Sequence, residues 1–147
     1  MSDISPTAAT VIAFAEELEE QTAACYQVLA QRFPAQASQF ERFVKRSGRA
    51  NTDLVRTYRE TVSDALETNF AFGDVQLSAY RTEWDVSESD DLAALVAELL
   101  PNEKLAERFY SEMATRSESL LATIPAAMRR CAKVRVQRIA RLKRMAG

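Results

Sequence analysis

The chain has 147 residues, of which 47% are hydrophobic and 27% are charged, with a net charge of −2 and no histidine. This length and composition predict one domain with a substantial hydrophobic core. The lack of histidine excludes nucleophilic sites of the Ser/His and Cys/His types, and the sequence contains no glycine-rich phosphate loop.

Two cysteines, Cys25 and Cys131, lie in helical patterns and have no Cys-x-x-Cys spacing. We therefore expect two buried free thiols and not a zinc site or a redox pair, although exposure of Cys131 beside Arg129 and Arg130 would make it reactive. No apolar run approaches about 18 residues and no basic-then-apolar segment opens the chain, so neither a membrane span nor a signal peptide is expected. The expected location is the cytoplasm, where thiols stay reduced.

Three glycines and four prolines leave long stretches for helices, so the predicted fold class is all-α. The first helix is predicted to begin with Ser5 as its N-cap and Pro6 at its first position, and to end at about Phe33, before Pro34. A second long helix is predicted over residues 38–67. The inward positions of these two helices recur at steps of three and four residues: Val11, Ala15, Leu18, Thr22, Cys25 and Leu29, then Phe40, Phe43, Val44, Ser47, Ala50, Leu54, Tyr58, Thr61 and Ala65.

Residues 68–90 interrupt the helical pattern and are predicted to form a crossover with a short helix near residues 75–81. Loops of this length are rarely left unpacked, so its aromatic residues are expected to lie across the bundle. They are Phe70, Phe72, Tyr80 and Trp84.

The third helix is predicted to begin near Ser89 or Asp90 and to contain Pro101, which would bend it. A break follows at residues 117–123, and the fourth helix is predicted to begin at Pro125. Its inward positions are Met128, Cys131, Arg135, Arg138 or Ile139, Leu142 and Met145. Four helices with a long middle connection predict two helical hairpins joined by a crossover.

The two predicted hairpins resemble each other. Glu19 stands seven residues before Tyr26 in the first half, and Glu103 stands seven residues before Tyr110 in the second. The apolar stripes downstream run in step, which indicates an internal repeat of helix pairs.

This pattern resembles the rubrerythrin-like branch of the ferritin-like superfamily, from about Thr10 to Met145. The resemblance implies a single ferritin-like four-helix bundle domain over residues 1–147, with the crossover at about 68–90. In that family, helices one and three each supply a glutamate, and helices two and four each supply a glutamate and a histidine three residues later, to bind two iron or manganese ions. The corresponding vestigial site is Glu19, Tyr26, Ser47, Ala50, Glu103, Tyr110, Arg135 and Arg138.

The two glutamates and two histidines that helices two and four supply in the family are therefore all missing. Ser47 and Ala50 stand at these positions in helix two, and Arg135 and Arg138 stand there in helix four. Two glutamates cannot replace six ligands, and a guanidinium repels a divalent cation. We expect no metal and no cofactor, with iron or manganese only if the family chemistry persists. We also expect no catalytic residue.

If Arg135 points inward, with or without Arg138, it would pair with one or both of Glu19 and Glu103 through bidentate hydrogen bonds. Its guanidinium would then replace the metal as the counter-charge to these carboxylates. Removing the Arg135 side chain would then cost several kcal/mol. In the alternative, both arginines bend outward to water.

Residues 129–144 hold eight basic residues and no acid. This strip either binds nucleic acid or an anionic surface, or pairs with acids of the same bundle or of a dimer partner. We favour pairing because the rest of the chain is acidic and no aromatic residue interleaves the strip, so nucleic-acid binding is not expected. The expected partners are acidic neighbours such as Glu16, Glu17, Glu20, Glu107 and Glu112.

These observations favour a non-catalytic structural or partner-binding bundle that has lost its di-metal centre. The resemblance further implies a homodimer. The alternatives are a di-iron or di-manganese carboxylate oxidoreductase or peroxide-scavenging protein with unorthodox ligands, and a bundle whose basic fourth helix binds nucleic acid or an anionic surface.

Overall fold

The structure, a computed structural model, describes residues 6–61, 72–73, 75–118 and 123–147. Four long helices dominate this part of the chain: α1 Ala8–Arg32, α2 Ala37–Thr61, α3 Leu92–Arg116 and α4 Thr123–Ala146. α1 packs along α2, α3 packs along α4, and α2 lies against α4. The predicted all-α fold, with two helical hairpins joined by a long crossover, is confirmed.

The N-caps of α1 and α3 differ slightly from the prediction. α1 follows Thr7, whose hydroxyl accepts a hydrogen bond from the backbone N–H three residues later, whereas the expected cap Ser5 lies outside the described residues. α3 follows Asp91, whose carboxylate caps the helix, and not Ser89 or Asp90. Each region offers several residues that cap well, so only the local backbone geometry selects one.

The other helix boundaries lie close to the predicted ones. α2 begins one residue before Ser38, and the predicted continuation over 62–67 lies outside the described residues. α4 begins at Thr123, two residues before Pro125, and Pro101 lies inside a continuous α3. Within the described residues, no helix has both the length and the apolar character needed to cross a membrane.

The crossover lies across α1 and α3. Its 3-10 helix, Leu77–Tyr80, occupies the position of the predicted short helix. The Tyr80 hydroxyl donates a hydrogen bond to Glu112 of α3, and Arg32 of α1 donates to the carbonyl oxygen of Ser87 at 2.7 Å. These bonds tie the crossover to both hairpins.

Three aromatic side chains of the crossover are buried: Phe72, Tyr80 and Trp84. Trp84 contacts Tyr26 of α1, with ring centroids 6.3 Å apart. The prediction that the crossover aromatics lie across the bundle is confirmed for these three residues, and Phe70 lies outside the described part of the chain.

The exposed arginines of α4 do not form the ion pairs expected from the sequence. Arg129 binds Glu118 and Arg130 binds Asp53. In the described part of the chain, α4 forms no salt bridge with the expected partners Glu16, Glu17, Glu20, Glu107 and Glu112. Pairing with acids of the same bundle is therefore seen for Arg129 and Arg130, but their partners are Glu118 and Asp53 and not the five acids expected from the sequence.

Candidate functional site: a buried arginine–glutamate cluster

All eight residues of the predicted vestigial site lie in the bundle interior, with exposed fractions from 0 to 8%. They are Glu19 and Tyr26 on α1, Ser47 and Ala50 on α2, Glu103 and Tyr110 on α3, and Arg135 and Arg138 on α4. Each helix brings its residues inward because they continue its apolar stripe. We call the four charged members Glu19, Glu103, Arg135 and Arg138 the buried ionic cluster.

Arg135 lies between the two carboxylates. Its Nη2 is 2.9 Å from Glu19 Oε2, and its Nη1 is 2.9 Å from Glu103 Oε1. Nη2 also donates to the hydroxyl of Thr22 at 3.2 Å, and the guanidinium carbon lies 5.7 Å from the centre of the Trp84 ring. The side chain is completely buried, so the predicted inward pairing is confirmed and the outward alternative is wrong, but each glutamate binds one nitrogen of the Arg135 guanidinium and not the predicted bidentate pair.

Arg138 completes the cluster from the same helix. Its Nη1 lies 3.4 Å from Glu103 Oε2, and its Nη2 donates to the carbonyl oxygen of Phe43 at 3.2 Å. The guanidinium also stacks near the rings of Tyr26 and Phe43, at 5.5 and 5.3 Å from their centres. Arg138 is 2% exposed, whereas Ile139 is only partly buried, so Arg138 takes the inward position that the sequence left open.

The two tyrosines bind the glutamates of the opposite hairpin. The Tyr26 hydroxyl donates to Glu103 Oε2 at 2.5 Å, and the Tyr110 hydroxyl donates to Glu19 Oε2. In each hairpin a tyrosine thus donates a hydrogen bond to the other hairpin, and a glutamate accepts one from it. This reciprocal arrangement agrees with the internal repeat predicted from the sequence. The glutamates are therefore held from both hairpins at once.

The buried ionic cluster balances two positive charges against two negative ones. Burial alone would raise the pKa of Glu103, but the charges of Arg135 and Arg138 and the hydrogen bond from Tyr26 outweigh it, so the pKa lies below its usual value. Burial would likewise lower the pKa of Arg135, but Glu103 and Glu19 raise it well above its usual value. Both partners therefore stay charged inside the core.

The surrounding phenols and thiols have pKa values shifted away from neutrality. Burial, followed by the charge of the neighbouring glutamate, raises the pKa values of Tyr26 and Tyr110 well above their usual range. Burial raises the pKa of Cys25 to about 12 and also raises that of Cys131. Both cysteines are free and buried, as predicted, and the alternative of an exposed, reactive Cys131 is wrong.

The donor set does not fit a di-iron or di-manganese centre. Both carboxylates already bind guanidinium groups, and Ala50 offers no side-chain donor at all. Among the described residues, no group of three or more histidine, cysteine, aspartate or glutamate side chains is arranged to hold a metal ion. A divalent cation at this position would stand beside two fixed positive charges, which repel it.

Two members of the site were not recognised from the sequence. Thr22 accepts from Arg135 and donates to the carbonyl oxygen of Leu18 at 2.7 Å, which fixes its hydroxyl. Trp84 covers Arg135 from the crossover. Thr22 was predicted to face inward and Trp84 to lie across the bundle, but only their proximity to Arg135 reveals their role.

No protein-family model, no curated protein and no solved structure matches this chain. The interpretation of the buried ionic cluster therefore depends on its own geometry.

Proposed function

We propose that the chain is a ferritin-like bundle in which arginine–glutamate pairs take the place of a di-metal centre, and that it acts through its surface as a non-catalytic, partner-binding module. The single observation that supports this most directly is the position of Arg135, whose guanidinium binds the glutamates of both hairpins. A bundle of this type normally uses its inward carboxylates to hold metal ions. In this chain the inward carboxylates of Glu19 and Glu103 bind Arg135 and so stabilise the contact between the two hairpins.

The chemistry of the core supports the absence of catalysis. General acid–base catalysis needs a group whose pKa lies near the working pH, and nucleophilic catalysis needs an activated nucleophile. The pKa of Glu103 is lowered, and those of Tyr26, Tyr110 and Cys131 are raised, so each shift moves away from neutrality. These side chains keep one protonation state throughout the physiological range.

Elemental analysis of purified protein, followed by titration with Fe²⁺ and Mn²⁺, tests the proposal. We expect no bound metal, no saturable uptake of either ion and no consumption of hydrogen peroxide. Two equivalents of iron or manganese per chain, together with peroxide turnover, would overturn the proposal in favour of the oxidoreductase alternative.

The proposal also includes self-association, since bundles of this family commonly pair along their helix faces. Sedimentation velocity at several protein concentrations gives the oligomeric state. A homodimer is the expected result. A monomer at all concentrations would contradict self-association, and the surface would then bind only partners other than a second copy of the chain.

A further inference from the structure

A basic groove lies between α2 and α4. These two helices carry six and eight of the 19 basic residues of the chain, respectively. We define the basic groove by its six cationic side chains: Lys45, Arg46, Arg49 and Arg56 on α2, and Arg130 and Lys133 on α4. The acidic residues are concentrated elsewhere, on α1, on α3 and in the crossover.

The groove has a single carboxylate to offset these charges. Asp53 binds Arg130 through both oxygens, at 2.9 and 3.1 Å, and lies 3.9 Å from Arg56. Within the described chain, Lys45, Arg46, Arg49 and Lys133 form no ion pair. The groove therefore presents a net charge of about +5 to solvent, which attracts polyanions over distances of about one Debye length.

The shape of the groove suits an elongated ligand. Two adjoining depressions of about 450 and 590 Å³ share Arg49, Asp53 and Arg130 in their walls. They follow the seam between two helices of 25 and 24 residues. Gly48 lines one of the depressions and is exposed, and a Cβ added there would meet no atom within 4 Å.

We propose that the basic groove binds the sugar–phosphate backbone of double-stranded nucleic acid without regard to base sequence. This deepens and rests on the proposed function, in that it names the partner on which the surface acts. Arginine recognises phosphate through two parallel hydrogen bonds, and half or more of the contacts in protein–DNA interfaces go to phosphate and sugar. Arg46 and Arg49 are the side chains placed to make such contacts from the walls of the groove.

An acidic protein segment fits the groove less well. Protein interfaces draw most of their binding energy from buried aromatic, arginine and large apolar anchors that fill pockets on the partner. Among the described residues, the only exposed large hydrophobic side chains are Val28 and Val136, and neither lines the groove. The one large aliphatic side chain in the lining, Val134, is partly buried, so the groove presents mainly charge.

The lining also discriminates among phosphate-bearing ligands. Proteins that bind single strands stack the bases on aromatic side chains, and the groove is lined by none. An anionic membrane presents its charges on a flat surface, whereas the phosphates of a duplex lie on a convex backbone, which is the better match to a concave seam.

Fluorescence anisotropy with a labelled 30-base-pair DNA duplex tests the proposal. About five phosphate contacts predict a slope of about −4.5 for log K against log salt concentration, so raising salt fourfold weakens binding about 500-fold. A single strand of the same length and phosphatidylserine vesicles serve as comparison ligands, and both are expected to bind more weakly. No duplex binding at 50 mM salt, or equal affinity for vesicles, would overturn the proposal.

Two pairs of matched variants locate the site. Gly48→Glu places a carboxylate in the groove without a steric clash and should weaken duplex binding, whereas Gly48→Gln should not. The double variant Arg49→Gln/Lys133→Gln should reduce the salt slope by about 2, whereas Arg81→Gln/Lys104→Gln removes the same charge from the other side and should leave it unchanged. Equal effects within either pair would show that only net charge matters and would contradict a specific groove.

The metal content of the same preparations separates this inference from the proposed function. Metal-free protein that does not bind the duplex contradicts the groove alone. Protein with two bound metal ions and peroxide turnover contradicts the proposed function, whatever the duplex experiment gives. If Arg49→Gln/Lys133→Gln changes the sedimentation coefficient of the free protein, the groove is covered by a second copy and the proposal fails.

Discussion

Arg135 Nη1 lies 2.9 Å from Glu103 Oε1, and neither side chain is exposed to solvent. Transferring two charges from water into a protein core costs several kcal/mol for each ion. The pair is tolerated because each partner has further polar contacts: Arg135 also binds Glu19 and Thr22, and Glu103 also binds Tyr26 and Arg138. The stability of the bundle therefore depends on keeping this set complete.

Replacing Arg135 by alanine should lower the free energy of unfolding by about 3 to 5 kcal/mol, because it leaves two carboxylates short of a partner in the core. Urea denaturation followed by circular dichroism measures the loss. The control is Lys133→Ala, an exposed residue of the same helix, which should change the free energy by no more than about 0.5 kcal/mol. A similar, small loss for both variants would contradict a stabilising role for Arg135.

Glu103→Gln should cost more stability than Glu19→Gln. Glu103 binds both arginines and Tyr26, whereas Glu19 binds Arg135 and Tyr110 through a single oxygen. Loss of the Glu103 charge leaves Arg138 with no carboxylate, and loss of the Glu19 charge does not. The two free energies of unfolding, measured side by side at pH 7, should differ by about 1 kcal/mol or more. The reverse order would assign the dominant role to Glu19.

The stability of the bundle should fall in acid through Glu103. Its pKa is lower in the folded protein than its usual value, so its contribution is complete above the unfolded pKa of about 4.3. That contribution is lost as the pH falls through the folded pKa. The difference in unfolding free energy between wild type and Glu103→Gln should stay constant from pH 7 to about pH 5 and shrink below it. A difference that widens in acid would contradict this linkage.

Both thiols should be inert in the native protein. Burial raises the pKa values of Cys25 and Cys131, so the reactive thiolate is scarce at pH 8. We expect a disulfide reagent such as dithionitrobenzoate to titrate no thiol in the folded protein and two in denaturant. The variant Cys25→Ala assigns any residual reaction to Cys131. Rapid modification of Cys131 in native protein would contradict the burial of this side chain.

Restoring the missing ligands of the family tests the resemblance directly. The substitutions Ser47→Glu, Ala50→His, Arg135→Glu and Arg138→His would add two carboxylates and two imidazoles to Glu19 and Glu103. We expect the fourfold variant to bind two Co²⁺ ions per chain, detected by visible absorption and by elemental analysis, because six ligands of this type suit a di-metal site. Wild-type protein is expected to bind none.

The control for this experiment is the same fourfold variant with Glu103→Ala added, which removes a ligand of the restored set. It should lose most of the Co²⁺ affinity. A fourfold variant that is helical by circular dichroism but binds no Co²⁺ would show that the four positions do not correspond to the family's ligands.

Much of the bundle follows from residue spacing. Apolar residues at steps of three and four fix which face of each helix is buried, and Glu19, Glu103 and Arg135 lie in phase with those stripes. Burial of an acid and a base in the same core requires that they meet or lose their charge, so the ion pair follows once Arg135 is known to be buried, which the sequence left open. The choice between Arg138 and Ile139 was not predictable either, because residues three and four positions after Arg135 flank the inward direction on opposite sides.

The sequence by itself determined that four helices form, which faces turn inward, and that Glu19, Glu103 and Arg135 lie in phase with those faces. Only the tertiary structure decided that Tyr26 binds Glu103 while Tyr110 binds the glutamate of the first hairpin, since periodicity carries no information about contacts between hairpins. It also placed Arg130 and Lys133 of α4 beside Arg46 and Arg49 of α2, with Asp53 as the one carboxylate in the lining. Helix phase is a local property of the chain, whereas the neighbours of a helix are set by how all four pack.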